Sequence, residues 1–207
     1  FLAGSVANFQ KGFANISVPS VLATLVSDEL DFPNLSMVGV DDRAAAYQAV
    51  SYLIQQGHRK IAVLGGPATS HPSMMRRQGA QQAMEDAGIR FEDKLYGLSN
   101  YDFESAYHAM NGLLARRAEF TALFAMSDVI AFGAIRALVS AGLRVPEDVS
   151  VIGFDGITMS RYCVPVMTTI VQPSEQIALQ SIELLVRQIE HGTPAQTVTL
   201  QPELQQG

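Results

Sequence analysis

Apolar and polar positions along this chain switch between a helical and a strand-like period, and the switching predicts alternating helices and strands. After Asp41 and Asp42, either of which can cap a helix, Ala45, Ala49, Val50, Leu53 and Ile54 recur at helical spacing. Gly57 then supplies a left-handed stop. Ile61 to Leu64 is a short continuous apolar run, the mark of a strand buried on both faces, and it ends in Gly65-Gly66-Pro67. A helix is predicted from Ser73 to Ala87, with Gly88 as its stop. Another follows Asp102 and carries Ala106, Met110, Leu113 and Leu114. Ala122 to Ala125 reads as a strand. Ser127-Asp128 opens a helix with Ile130, Ala134, Ile135 and Leu138 on one face, and Asp128 is its expected cap. Val149 to Phe154 is a strand with the carboxylate of Asp155 standing at its end. Thr168 to Val171 is another, Pro173 starts a helix reaching about Glu190, and Val198 and Leu200 suggest a final strand.

Upstream, Pro19 to Ala23 reads as an extra strand after a short first helix, and Ser27 to Asn34 as a loop. Phe1 to Ser5 reads as the end of a strand. Strands alternating with helices of this length imply an α/β fold with parallel sheets covered by helices. In open sheets of that kind ligands bind beyond the carboxyl ends of the strands, where Asp155 is expected.

Composition narrows the function classes. The 207 residues are 48% hydrophobic and only 16% charged, which argues against disorder. The net charge of −6 disfavours a nucleic-acid surface on this segment. With one cysteine, Cys163, the chain has no internal disulfide. His58, His71, His108 and His191 lack the spacing of metal ligands. No apolar run approaches the ~18 residues of a membrane span. The chain starts without a methionine and without a signal-peptide pattern, so a fragment of a longer protein is expected. Phosphate-cradling, nucleophile-elbow and zinc-protease motifs are all missing. The chain is therefore read as a binding protein and not an enzyme, with no cofactor.

Five pieces carry a family resemblance: GHRKIAVLGGP (Gly57 to Pro67), the helix start from Arg76 to Gly79, SDVIAFGAIRAL (Ser127 to Leu138), VPEDVSVIGFDG (Val145 to Gly156) and RYCVPVMTTIVQP (Arg161 to Pro173). In this order and spacing the chain resembles the effector-binding domain of the lactose/galactose repressor (LacI/GalR) family of bacterial transcription regulators. The resemblance implies a two-lobed, periplasmic-binding-protein-like fold: residues 1–37 plus 172–196 form an N-terminal lobe, incomplete at its start, and 38–171 plus 197–207 form the other. It implies a cytoplasmic homodimer that is not bound to membrane. A sugar-like effector binds it, and a helix-turn-helix head absent from this chain contacts operator DNA. A periplasmic sugar-binding protein of a transporter is the alternative.

The same resemblance implies the site residues. Arg76 would reach the ligand, since a guanidinium can donate two parallel bonds to vicinal hydroxyls or a carboxylate, and the fold would survive its loss; a solvated helix arginine is the other reading. Asp155 would accept from sugar hydroxyls, or else simply turn the chain before Gly156. Ser127 would hydrogen-bond the ligand. Phe103 would stack on a sugar face or a flat base, or sit in the core. Gln172, at the lobe crossover, and Thr24 would add polar contacts; Gln172 could instead satisfy crossover backbone groups. Phe132, Tyr162 and Cys163 would form dimer contacts, with core packing as the alternative.

Overall fold

The computed structural model describes residues 10–12, 17–117 and 119–207. The strand end expected at Phe1 to Ser5 lies outside the described residues, and residues 10–12 are helical. The chain divides into two compact units. The smaller comprises residues 1–41, 69–72 and 172–202, and the larger 42–68, 73–171 and 203–207.

The smaller unit is built on a parallel three-stranded sheet. Its strands are β1 (Ser20–Ala23), β2 (Leu35–Val40) and β8 (Thr197–Leu200), in the order β1-β2-β8. Side chains alternate across a strand, so β1 and β2 feed two cores and β8 feeds one. Leu22, Leu35 and Met37 join Leu25 and Leu30 on one side, with Phe32 against them. Val21, Ala23, Val38, Val198 and Leu200 pack on the other side against Ile177 and Leu184 of helix α5 (Ser174–His191). Each fully buried Leu or Ile contributes roughly 1.5–3 kcal/mol relative to exposure. The buried hydroxyl of Ser36 is also satisfied: it donates to Gln188 Oε1 at 3.2 Å and accepts from the Gln196 amide at 3.0 Å. Helix α5 ends at Gly192, whose φ of 61° is the left-handed stop. Its outward face exposes Leu179, Ile182, Val186 and Ile189 at helical spacing.

Strand β2 corrects the expected boundaries at 37/38 and 196/197. The pattern had ended the loop at Asn34 without predicting a strand after it. Leu35–Val40 is nonetheless completely buried at the centre of the smaller sheet. The chain therefore leaves this unit only after Asp41. Strand β8 returns to pair with β2, and only the last strand, β9 (Glu203–Gln205), rejoins the larger unit. Ser36 and Gly39 break the apolar run, which is why its period gave no strand signal.

The larger unit carries a six-stranded sheet in the order β4-β3-β5-β6-β7-β9. Its strands are β3 (Ile61–Gly65), β4 (Tyr96–Leu98), β5 (Ala122–Ala125), β6 (Ser150–Asp155), β7 (Thr168–Val171) and β9. All pair in parallel except β9, which runs antiparallel to β7. Helices α1 (Asp42–Gln55), α2 (His71–Asp86), α3 (Phe103–Ala115) and α4 (Asp128–Ser140) fall between them in sequence. Leu123, Phe124, Ile152, Phe154 and Ile170 form the sheet's share of the core, and Met110, Leu113 and Leu138 the helices' share. The helices approach closely at glycines. A Cβ on Gly79 would lie 2.0 Å from the Arg43 carbonyl oxygen, and one on Gly133 would lie 2.6 Å from that of Phe103. This close packing sets α2 against the start of α1 and α4 against the start of α3.

Candidate functional site

Parallel strands all end on the same edge of a sheet. In the larger unit that edge carries Gly65-Gly66 after β3, Ser99 after β4, Ser127 after β5 and Asp155 closing β6. Arg76 enters from α2. It is not the solvated helix arginine: it is 5% exposed. Its Nε donates to Asp42 Oδ1 at 2.7 Å, and its Nη1 donates to the Met126 carbonyl at 2.5 Å. Asp155 Oδ1 lies 3.6 Å from Nη1. The guanidinium also lies 3.6 Å from the centre of the Phe154 ring. Burial opposes its charge, but Asp42 and then Asp155 outweigh burial and hold its pKa above the ordinary arginine range. An arginine buried and paired in this way is expected to matter for folding, contrary to the expectation that the fold survives its loss.

Asp155 is more than a turn residue. Its side chain is 27% exposed, so its carboxylate reaches both Arg76 and solvent. Its φ of 113° is a conformation that non-glycine residues seldom adopt. Gly156 follows at φ 71°, and a Cβ there would lie 2.7 Å from Val171 Cα. Strain of this kind persists where the surroundings over-determine it, and it clusters at ligand sites.

Ser127, not Asp128, caps α4: its Oγ accepts from the Ile130 amide at 3.1 Å. A hydroxyl that accepts still has a proton to donate. Asp128 is the first helical residue and is fully buried. It accepts from Thr169 Oγ1 at 2.6 Å and from the Ile157 amide at 2.8 Å. Burial pushes its carboxyl up to about 6, and the Thr169 and Ile157 bonds only partly oppose that. The cap went to Ser127 because its extended backbone aims the side chain at the orphan amides of the first turn.

The other expected contacts have different surroundings. Phe103 is not a core residue: it is 56% exposed at the start of α3. It stacks on Phe132 with ring centres 6.2 Å apart. An expected ligand residue and an expected dimer residue thus touch each other. Phe132 and Cys163 line an apolar groove with Val139, Val164, Pro165 and Val166. Val164 is almost fully exposed and Tyr162 is 77% exposed, so core packing does not account for either. In the smaller unit Thr24 follows β1 with φ 69°, and its amide donates to the Val38 carbonyl at 2.7 Å. Gln172 is half-buried just after β7, where its carbonyl accepts from the Ser174 amide at 2.8 Å.

Two residues near the strand ends have roles that the sequence did not signal. Asp42 was read only as a helix cap, yet it is the counter-ion of Arg76. Tyr101 has φ 60° and a buried hydroxyl without a hydrogen-bond partner. Among the described residues no group of three or more His, Cys, Asp or Glu could hold a metal ion. None of their helices is long and apolar enough to cross a membrane.

Arg76→Ala leaves Asp42 buried without its counter-ion and should cost ~3–5 kcal/mol of folding stability. A urea midpoint equal to that of the unaltered protein would refute this framework role. Asp128 yields a pH signature. Its native value of about 6 lies above the ordinary 3.8, so the folded state holds a proton that the unfolded state has released. This contribution is full below the ordinary value and is lost as pH rises through the native one. The stability of Asp128→Asn relative to the unaltered protein should therefore improve between about pH 4 and 7. Denaturation curves with a constant difference across that range would refute it.

Residues 50–207 match a model of the periplasmic binding protein-like domain family. The chain is 36% identical over 205 residues to the HTH-type transcriptional regulator MalR of Clostridium butyricum, spanning 98% of this chain and 61% of MalR. It is 38% identical over 172 residues to the HTH-type transcriptional repressor CytR of Escherichia coli K12, spanning 83% of this chain and 50% of CytR. The chain thus covers less than two thirds of the length of these relatives. A regulatory protein of the LacI family from Chloroflexus aggregans superposes with TM-score 0.86 at 30% identity, covering 97% of this chain and 72% of that one. The transcriptional regulator CelR, in complex with cellobiose, superposes with TM-score 0.82 at 30% identity, covering 97% and 68%. Fold, motif order and these similarities agree: the chain belongs to the LacI (lactose/galactose repressor) family and comprises its periplasmic-binding-protein-like effector domain.

Proposed function

We propose that this chain is the effector-binding and dimerisation core of a DNA-binding transcriptional regulator, a repressor controlled by a sugar or sugar derivative. The observation that carries this reading is the Arg76–Asp155 pair at the strand ends, 3.6 Å apart, with Asp155 partly exposed and held at φ 113°. A guanidinium donor beside a carboxylate acceptor suits a molecule whose hydroxyls both accept and donate. Ser127 and Phe103 add a hydroxyl and an aromatic face from the same unit, and Thr24 and Gln172 are the contacts assigned to the smaller one. The cellobiose held by CelR supports the sugar class. The names of the relatives support a regulator over a transport receptor. A binding role rather than a catalytic one is supported by the relatives, which are named as transcriptional regulators.

DNA affinity resides in a basic head outside this chain, because the chain itself carries a net charge of −6. The regulator works in the cytoplasm, where its operator is. Effector and operator are coupled by ~1–3 kcal/mol, equal in both directions. The exposed apolar face of α5 supports an incomplete smaller unit, to be covered by chain that precedes Phe1 in the whole protein. The groove beside Phe132 and Cys163, with Tyr162 exposed nearby, is the surface assigned to the homodimer.

The first experiment is a thermal-shift screen of the full-length protein against sugars, sugar phosphates and nucleosides. Ligand at about a hundred times its dissociation constant should add ~2.7 kcal/mol of stability. Asp155→Asn, which keeps the size and suits the left-handed backbone, should fold but lose that shift; an undiminished shift would remove Asp155 from the site. Phe132→Asp should turn dimers into monomers in sedimentation, and an unaltered profile would sink the dimer assignment.

A further inference from the structure

Asp155 closes β6, and the chain leaves it through Gly156 and Ile157 into the short helical turn Thr158–Arg161. Asp155 at φ 113° and Gly156 at φ 71° both lie outside the ordinary helical and extended regions. What holds Ile157 therefore also sets the direction of the Asp155 side chain. Ile157 is held at both of its backbone polar groups. Its carbonyl accepts from the Ser160 amide and Oγ at 2.9 and 2.8 Å. Its amide donates to Asp128 Oδ2 at 2.8 Å.

Asp128 is placed for this bond by its surroundings. It is the first residue of α4, and Thr169 Oγ1 of β7 donates to its Oδ1 at 2.6 Å. Strand β6 leaves room for it at Gly153, where a Cβ would lie 2.2 Å from Oδ1. A hydroxyl and an amide both donate to it, which is the pattern that suits an ionised carboxylate. Bonds of that kind are roughly twice as strong as neutral ones. A proton on Oδ1 turns that oxygen into a donor. Thr169 Oγ1 must then accept, and its own proton is left with the Ile170 carbonyl, 3.5 Å away. The Ile157 amide keeps only a neutral acceptor, and the hold on the turn weakens.

The charged groups nearby set where this change falls. Asp155 of β6 faces Asp128, while β5 and β7 contribute no charged residue. Arg76 of α2 is bonded to Asp42 of α1 and stands 3.6 Å from Asp155. Arg161, at the end of the turn, donates to Gln205 Oε1. Burial pushes the Asp128 carboxyl up to about 6, and the charge of Asp155 adds to the rise against the bonds from Thr169, Ile157 and Gly156. A ligand that donates to Asp155 draws its charge away from Asp128 and favours the ionised form.

We infer that Asp128 is a positioning residue for the effector site: its ionised carboxylate holds the Ile157 amide and with it the turn that aims Asp155, so that effector affinity is lost when Asp128 takes up a proton. This rests on the effector-binding reading above and adds to it a residue behind the site and a dependence on pH. A merely structural Asp128 would not give this sign, because its contribution to folding stability falls as pH rises through the same value, whereas affinity gains.

The test uses the full-length protein. The probes are cellobiose, glucose, glucose 6-phosphate and adenosine, and any that raises Tm is titrated by calorimetry across the acid range. Affinity should be about 5- to 10-fold weaker at about pH 5 than at about pH 7.5. Asp128→Asn, which keeps the shape and cannot ionise, should bind with the weak affinity throughout. Thr169→Val removes a donor to the carboxylate and should move the midpoint of the affinity loss to higher pH. Without ligand, the Ile157 amide proton resonance, assigned by its loss in Ile157→Val, should titrate near pH 6 and stop doing so in Asp128→Asn. An Ile157 resonance that does not titrate overturns the inference. So does an Asp128→Asn protein with unaltered affinity or an unaltered pH profile, or a midpoint unmoved by Thr169→Val; in each of these cases the effector reading stands. No Tm shift from any probe, with the Ile157 resonance still titrating, defeats the effector reading, and this inference with it.

Discussion

The larger unit is organised around the Arg76 guanidinium. It joins Asp42 at the start of α1, the Met126 carbonyl after β5, and Asp155 and Phe154 at the end of β6 to its own helix, α2. A buried ion pair need not make a fold more stable than apolar packing would, but removing one partner leaves a charge without compensation. The arrangement therefore works as a constraint. It fixes the distance between two helix starts and two strand ends, and these are the positions that carry the polar groups of the site. An arginine chosen for the ligand alone would not be this deeply buried.

A second constraint acts on the backbone. Thr24, Tyr101 and Asp155 all hold positive φ without being glycine. Asp155 and Tyr101 stand at strand ends in the larger unit, and Thr24 stands just after β1 in the smaller one. Each conformation costs on the order of 1–3 kcal/mol and is maintained by the hydrogen bonds and packing around it. In the proposed effector site such strain would hold Asp155 already aimed, and a group already aimed loses little entropy when a ligand arrives. The buried Asp128 contributes from behind: through Thr169 and the Ile157 amide it ties α4 to β7 and to the turn that follows Asp155.

The smaller unit obeys a different rule. Its sheet has three strands among the described residues, and the central one owes its place to burial rather than to a visible pattern. Ser36 is tolerated inside it because Gln188 and the Gln196 amide satisfy its hydroxyl. The apolar outer face of α5 has the composition of a surface meant to be covered.

Local physics was legible along the chain. Continuous apolar runs marked β3 and β5, glycines marked the helix stops at Gly57 and Gly88, and Asp102 marked the cap of α3, because each signal depends on neighbours a few residues away. The order of five motifs was enough to indicate the family, and the carboxylate of Asp155 was placed at its strand end. Partnership could not be read this way. Asp42 and Arg76 are 34 residues apart, and nothing in either segment says that they neutralise each other. Strand β2 was missed because its pairing with β1 and β8 outweighs an interrupted pattern. Ser127 took the cap expected of Asp128 because its extended backbone aims its side chain at the first-turn amides, while Asp128 accepts from Thr169, 41 residues on. The sequence by itself determined elements, their order and the family, since these follow from short-range periodicity and motif spacing. Only the tertiary structure decided which charges are paired, which residues are strained and which hydroxyl is left unpaired, since these depend on groups that meet only when the chain has folded.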